Sequence, residues 1–234
     1  QIGQTENIGR FSISSKGFHG MFLQQGRWVL LSPRFENDVS NYISYFYQDA
    51  LPLTSSPTEM DEVKYLQTPA LQAKLAAKVE PTGDEIRTYR LAVSTTAEYT
   101  QAQGGTKVEA VAEIMNLVNR INQILLIDLA VQFELVDNED IIFTNAASDP
   151  FTNTDAAADL ETNQQVIDDA LGRANYDLGH LLSTNGGGLA FVGAVCNDSI
   201  KAQGYTGDVA RNASGERFYI DLVAHELGHQ LGAS

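Results

Sequence analysis

The last ten residues of the chain, HELGHQLGAS at positions 225–234, decide how the rest of the sequence is interpreted. His225 and His229 are four residues apart, so on a helix both imidazoles project from one face, about one turn apart. Two imidazoles at that separation can bind one Zn²⁺ ion at roughly 2.0–2.1 Å each. Glu226 is placed to take a proton from a metal-bound water rather than to bind the metal. The motif therefore predicts a zinc site with a general base beside it.

The competing interpretation is that HELGH is a chance pattern on an ordinary amphipathic helix. Three features favour the metal site. A helix predicted from 218 to about 231 has an apolar stripe, Gly232 follows where a glycine turns the chain out of a helix, and strands alternate with helices upstream. The stripe consists of Ile220, Val223, Leu227 and Leu231.

Strands and helices alternate from residue 81 onward. Strands are predicted at 88–95 and 129–136, with 141–143 extending the sheet, and a helix at 164–173. Apolar runs at 176–182 and 189–195 flank the glycines 186–188. A capping box opens another helix, whose apolar residues recur at helical spacing and predict one buried face. The box is Thr106 with Glu109, and the face is Val111, Ile114, Met115, Val118, Ile121 and Leu125.

The N-terminal part has a different composition. Aromatic and other apolar residues predict strands at 18–23, 27–31 and 42–47. Residues 51–62 have the composition of a linker, and 69–80 predict a short helix. These patterns predict two domains, 1–80 and 81–234.

Composition excludes several classes of partner. The chain has 234 residues and a net charge of −15, which disfavours nucleic acid and anionic membrane surfaces. No stretch approaches the roughly 20 apolar residues of a membrane-spanning helix. The charge fits an extracellular protein or one that binds Ca²⁺, for which Glu98 and Asp177 are candidates without a loop motif. His19 and His180 are expected to be structural.

At this point the sequence can be compared with a known family. HELGHQLGAS resembles the start of the metzincin signature HExxHxxGxxH, and the chain resembles bacterial members of the reprolysin (adamalysin-like) branch. The resemblance is carried by TYRLAVSTTAEYT (88–100), INQILLIDLAVQFELVDNEDIIFT (121–144) and YDLGHLLSTNGGGLAFVGAVCNDSIKAQGYTG (176–207). GFHGMFLQQGRWVLLSP (17–33) and SNYISYFYQD (40–49) resemble parts of the propeptide that precedes such domains.

The resemblance implies an α/β fold, a metzincin-like upper catalytic subdomain with a mixed twisted sheet and long helices, preceded by a small β-rich propeptide. His225 and His229 match the first two zinc ligands, Glu226 the general base and Gly232 the turn glycine. The family's third histidine would stand at position 235, one residue past Ser234. The polypeptide is therefore expected to be an inactive or weakly active zymogen fragment.

Further expectations follow from the same resemblance. Gly188, Leu189 and Ala190 would form the rim of the cleft, where an extended substrate adds as a strand. A surface loop is the plainer interpretation of these residues. Cys196 matches a cysteine that pairs with one beyond the active site, and a lone cysteine is the alternative. The N-terminal region would inhibit the enzyme intramolecularly.

The sequence thus predicts a secreted zinc endopeptidase acting on proteins or peptides. A second hypothesis is a catalytically inactive binding or inhibitory module on the same scaffold. A third is a zinc hydrolase whose third ligand is a glutamate from a later helix, which Gly232 disfavours.

Overall fold

A computed structural model describes residues 9–35, 38–49, 85–137, 139–208, 213–216 and 218–233. The strands form two sheets, one near the N-terminus and one after residue 85, and long helices accompany the second sheet. The predicted α/β fold class is therefore confirmed. The linker predicted at 51–62 and the helix predicted at 69–80 lie outside the described residues, and the division into domains 1–80 and 81–234 stays a prediction.

The first sheet is an antiparallel meander of four strands in the order β1-β2-β3-β4. A two-residue turn joins β2 to β3, and both of its residues, Gln25 and Gly26, have positive φ angles, as a tight hairpin turn requires. The three predicted strands are confirmed, whereas β1 was not predicted. The bounds are Gly9–Ser14 for β1, Gly17–Gln24 for β2, Arg27–Pro33 for β3 and Tyr42–Phe46 for β4.

The second sheet has five strands in the order β6-β5-β7-β9-β8. Neighbouring strands are parallel except for β8, which runs antiparallel to β9 at one edge of the sheet. The bounds are Arg87–Thr95 for β5, Val131–Leu135 for β6, Leu178–Ser183 for β7, Gly187–Ala190 for β8 and Gly204–Gly207 for β9. The predicted extension at 141–143 is a single parallel bridge between Thr95 and Ile142.

Two helices precede β6. Helix α1 is Ala97–Ala102, which was not predicted, and helix α2 is Lys107–Leu129. The predicted cap is confirmed, because Thr106 Oγ1 accepts a hydrogen bond from the Glu109 N–H at 3.2 Å. The strand predicted from residue 129 begins too early, since α2 continues to Leu129 and ends at Ala130, whose φ of 53° is left-handed.

One member of the predicted buried face of α2 is wrong. Met115 is 46% exposed, because it follows the fully buried Ile114 by one residue and so lies about 100° around the helix from it. The other predicted positions are buried or pack against the core.

Helix α3 is Ala156–Leu171, eight residues longer at its start than the predicted helix at 164–173. Asp155 opens it by accepting hydrogen bonds from the N–H groups of Ala157 and Ala158, both at 3.1 Å. The first two turns begin with three alanines but contain only one large apolar side chain, Leu160, so hydrophobic periodicity does not mark them. The helix stops before Gly172, whose φ is 82°.

The main core lies where α2 and the C-terminal helical segment cover the second sheet. Burial of these aliphatic and aromatic side chains is the principal term holding the segment in place. None of the helices in the described ranges has the length and apolar character needed to cross a membrane. The core includes Leu91, Ile114, Ile121, Leu178, Leu182, Phe218, Val223 and Leu227.

Candidate metal centre

The helix predicted at 218–231 is confirmed, but it is wound in two ways. Phe218–Val223 forms a π-helical turn, and α4, Ala224–Gln230, continues it as an α-helix. Val223 and Leu227 of the predicted stripe are buried, and the other two members pack against the same core. The apolar stripe therefore faces the hydrophobic core. The extra residue per turn in a π-helix is frequently found at functional sites.

The two histidines of α4 converge. His225 Nε2 and His229 Nε2 are 3.0 Å apart, and the two rings are nearly perpendicular at 87°. Two ligand nitrogens on a tetrahedral zinc ion would be about 3.3 Å apart, given zinc–nitrogen distances of about 2.0–2.1 Å. The side chains therefore fit a shared metal ion with almost no rearrangement.

A backbone carbonyl orients one of these rings. His229 Nδ1 is 2.9 Å from the Ala233 carbonyl oxygen, so Nδ1 carries the proton and donates it. The lone pair is then on Nε2, which is the nitrogen that faces His225. Metal-binding histidines commonly have this kind of partner on the other ring nitrogen, because it fixes the tautomer.

The described residues bring together two side chains of a type that can bind a metal ion, His225 and His229. Nowhere within those ranges do three or more His, Cys, Asp or Glu side chains gather as a metal site would require. The third histidine implied by the family resemblance falls at position 235, so that ligand stays a prediction.

Glu226 lies against the edge strand of the second sheet. Its side chain is buried, and the backbone of Gly188 on β8 passes directly beside the carboxylate. A Cβ atom placed on Gly188 would be 2.0 Å from Glu226 Oε1, far inside van der Waals contact. Only a glycine leaves room for the carboxylate at this position. The structure thus brings together two of the residues that the sequence singled out from separate motifs.

Strand β8 presents one free edge among the described residues. Its other edge pairs with β9, where Gly188 opposes Thr206 and Leu189 opposes Tyr205. The segment is solvent-accessible, and Leu189 is 40% exposed. The loop that follows is attached to α4 by a hydrogen bond of 2.9 Å from Gly193 N–H to the His229 carbonyl. An extended peptide along this edge would therefore pass next to Glu226.

Nothing in the sequence indicated that His180 lies behind the site, and the sequence singled out neither of the two residues that His180 contacts. His180 of β7 contacts Gln230 of α4 and Thr206 of β9, each at 2.9 Å, and all three are buried. The expected structural role of His180 agrees with its burial. The sequence offered one indication that Gln230 lies near the site, because Gln230 directly follows His229 in the motif.

The calcium candidates do not form a site in the described part of the chain. Asp177 makes an ion pair with Arg90 at 2.7 Å, and that guanidinium lowers the pKa of the Asp177 carboxyl. Glu98 lies in α1, and no cluster of three metal-binding side chains includes it. Ca²⁺ binding stays a prediction. Cys196 is an exposed free thiol, and its pairing beyond the active site also stays a prediction.

Comparison with known families gives one result. Residues 85–234 match the family model described as Metallo-peptidase family M12B Reprolysin-like. A search of curated proteins found no match. The matched range contains the whole second sheet and the helices α1 to α4.

Proposed function

The chain belongs to the reprolysin-like metallopeptidases of family M12B, and from this premise we propose that it is a zinc-dependent endopeptidase. The observation that carries the proposal is the convergence of His225 Nε2 and His229 Nε2, 3.0 Å apart, beside the buried carboxylate of Glu226. Protein or peptide substrates follow from the family, while the roles of individual residues are part of the proposal.

Each residue of the site has a role in the proposed hydrolysis. His225 and His229 would hold the zinc ion, which when bound supplies a Lewis acid and lowers the pKa of water. Glu226 takes a proton from the attacking water, whose oxygen adds to the carbonyl carbon of the scissile peptide. The same carboxyl group then delivers the proton to the amide nitrogen as the C–N bond breaks.

The edge strand provides the proposed substrate position. The main chain of Gly188, Leu189 and Ala190 would pair with an extended peptide, as in other cases of strand addition. The missing side chain at Gly188 lets the backbone of β8 lie directly against the Glu226 carboxylate, so a peptide paired with β8 would lie near the proposed general base. Main-chain pairing fixes the substrate's direction, and exposed side chains such as Leu189 would contact alternate substrate residues.

The biological setting is also proposed. We propose a secreted protein of bacterial type, in which the first sheet belongs to an inhibitory propeptide. Support comes from the resemblance of 17–33 and 40–49 to propeptide sequences, and from the start of the family match at residue 85. The acidic composition, with a net charge of −15, suits an extracellular protein.

The test measures zinc and turnover separately. Zinc titration of the purified metal-free protein, in a form that continues through the ligand predicted at position 235, should show one site, which His225→Ala and His229→Ala remove. Glu226→Gln should keep the zinc but lower the cleavage rate of a fluorogenic peptide by at least about 100-fold, since general-base catalysis contributes about that much. His19→Gln is the matched control, because it removes an imidazole from β2 without touching the site.

Two results would contradict the proposal. Zinc binding that survives in both His225→Ala and His229→Ala would show that these residues are not ligands. Stoichiometric zinc without peptide cleavage, with Glu226 unaltered and the N-terminal region released by limited proteolysis, would favour the alternative of a catalytically inactive binding or inhibitory module.

A further inference from the structure

A buried imidazole lies between the two walls of the proposed cleft. His180, on the central strand β7, is 1% exposed. Its Nδ1 is 2.9 Å from Gln230 Oε1, and its Nε2 is 2.9 Å from Thr206 Oγ1. Gln230 follows His229 on α4, and Thr206 pairs with Gly188 on β8. One ring is thus bonded to the helix of the metal ligands and to the strand beside the substrate edge.

The hydrogen bonds around this ring define a single tautomer. Gln230 Nε2 donates to the Gly179 carbonyl at 2.9 Å, so its Oε1 is the acceptor that faces His180. His180 Nδ1 therefore donates, and Nε2 accepts from the Thr206 hydroxyl. Only the neutral ring can do both. Burial lowers the pKa of His180 to about 4, which keeps the ring neutral near pH 7.

The amide of Gln230 has no room to move. A Cβ atom on Gly204 would be 2.2 Å from Gln230 Oε1, so the bare backbone of β9 lies against the amide. The Gln230 carbonyl also accepts a hydrogen bond of 3.0 Å from the Val195 N–H. The last turn of α4 is therefore held by side-chain and main-chain bonds at once.

We infer that His180 is a positioning residue, which acts with Gln230 and Thr206 to set the orientation in which α4 presents His225 and His229. The inference rests on the proposed zinc site. Both histidines lie on one helix, so rotating α4 by a few degrees would keep their Nε2 atoms together. The rotation would instead turn the pair relative to β8 and to the chain after Gly232, where the third ligand is predicted. Groups hydrogen-bonded directly to metal ligands commonly change metal affinity by about 10- to 100-fold when they are altered. His180 acts through Gln230, the neighbour of one ligand, so we expect an effect near the lower end of that range.

The test is zinc affinity, measured by competition with a chromogenic chelator, in variants whose stability is also measured. His180→Leu should bind zinc at least about 10-fold more weakly than the unaltered protein. The matched control is Asn122→Leu. Asn122 is equally buried and bonds the Phe133 backbone at 2.6 and 2.8 Å, but it lies between α2 and β6. The Asn122→Leu variant should be less stable than the unaltered protein but should keep its zinc affinity.

Two milder variants cover the case in which His180→Leu does not fold. Thr206→Val is nearly isosteric and removes only the donor to His180 Nε2, so it should weaken zinc binding by a smaller factor. His180→Gln keeps a donor and an acceptor and should restore most of the affinity. The inference is overturned if Thr206→Val and every folded His180 variant bind zinc as tightly as Asn122→Leu does.

Failure of the proposed function gives a different result. If the unaltered protein takes up no zinc, the metal site itself is wrong, and this inference falls with it. If the unaltered protein binds zinc and only the comparison between variants fails, the proposed function stands and the positioning role of His180 is rejected.

Discussion

Two clusters of buried polar residues in this molecule are built in opposite ways. Behind the candidate site, both nitrogens of His180 and both amide atoms of Gln230 have hydrogen-bond partners. At the seam where the first sheet meets α2, several buried atoms have none. Among the described residues these are His19 Nδ1, Asn116 Nδ2 and Glu216 Oε2.

The seam depends on charge rather than on complete pairing. Arg120 of α2 forms an ion pair with Glu216 at 2.8 Å and reaches the Leu31 carbonyl of β3 at 3.4 Å. Burial raises the pKa of Glu216, although the Arg120 charge partly offsets this. A cavity of about 330 Å³ lies beside the pair, lined among others by Lys16 and Glu113. An unpaired buried polar atom costs about 1–3 kcal/mol, so this contact is less stable than its area suggests.

The difference between the two clusters shows where the fold requires one defined side-chain geometry. A complete hydrogen-bond network admits one arrangement of its side chains, and it lies behind the helix that carries the two proposed metal ligands. A seam with unpaired atoms holds two parts together without demanding one geometry. We therefore expect changes at the seam to alter stability, and changes at the site to alter function.

The largest expected effect is at the seam. Arg120→Met leaves the Glu216 carboxylate buried without its cation, which should lower the free energy of unfolding by about 3–5 kcal/mol near pH 7. In the variant the folded-state pKa of Glu216 is raised further above its unfolded value. Stability should therefore return as the pH falls toward the ordinary value of 4.5, where the carboxyl takes a proton. Urea denaturation at several pH values measures this.

Arg120→Met/Glu216→Gln is the control for this experiment, because it removes both charges and should recover much of the loss. Zinc affinity should stay unchanged in both variants as long as they are folded. A loss below about 1 kcal/mol for Arg120→Met would mean that the pair behaves as a surface ion pair.

The next prediction concerns the pH dependence of stability that His180 contributes from the fully hydrogen-bonded cluster behind the candidate site. The folded-state pKa of His180 is about 4, against an ordinary value of 6.5. Between these values the unfolded chain binds a proton that the folded protein does not, so stability falls as the pH falls through this window. The 2.5-unit difference corresponds to about 3 kcal/mol between pH 7 and pH 4.

His180→Gln removes this contribution and leaves every other titrating group in place. The stability difference between the unaltered protein and His180→Gln should therefore shrink as the pH falls, in urea denaturation of the metal-free proteins. Parallel pH profiles would show that the imidazole is not buried in its neutral form.

The sequence predicted the elements whose pattern is local. The apolar spacing and the Thr106 cap of α2, the aromatic strands of the first sheet and the helix of the HELGH motif all follow from neighbouring residues. The start of α3 was missed, because its first two turns contain a single large apolar side chain, Leu160, and so show no helical periodicity. The local signals there were the cap residue Asp155 and the three alanines that follow it. Strand β9, Gly204–Gly207, is held between β7 and β8 rather than by its own residues.

The candidate site also combines features set by neighbouring residues with contacts between distant ones. The His225 and His229 pair follows from their spacing within one helix. The contact of Gly188 with Glu226, and that of His180 with Gln230, join residues far apart in the chain, and no local pattern encodes them. They arise only when the sheet order places β8 and β7 next to α4. Sequence alone thus predicts the metal-binding pair but not what positions it.

Each of the two regions has a glycine at a crowded position, so alanine substitutions at these glycines allow a direct comparison. Alanine at Gly188 would place Cβ 2.0 Å from Glu226 Oε1, and alanine at Gly20 of β2 would place it 2.6 Å from Phe11 Cδ1. Phe11 is 54% exposed and can swing away, whereas Glu226 is buried and can move only by leaving its position. Gly188→Ala should therefore lower peptide cleavage by about 100-fold, the effect of displacing a reacting group by about 1 Å.

Gly20→Ala should leave cleavage unchanged and alter the free energy of unfolding by less than about 1 kcal/mol. Gly188→Ala should cost no more than about 1–3 kcal/mol of stability, the usual effect of overpacking, because the φ of Gly188 is not left-handed and only the Glu226 side chain must move. Equal cleavage rates for the two variants would show that the Glu226 carboxylate can shift without consequence. In that case the close approach of β8 would serve packing, and the general base would have to be sought elsewhere.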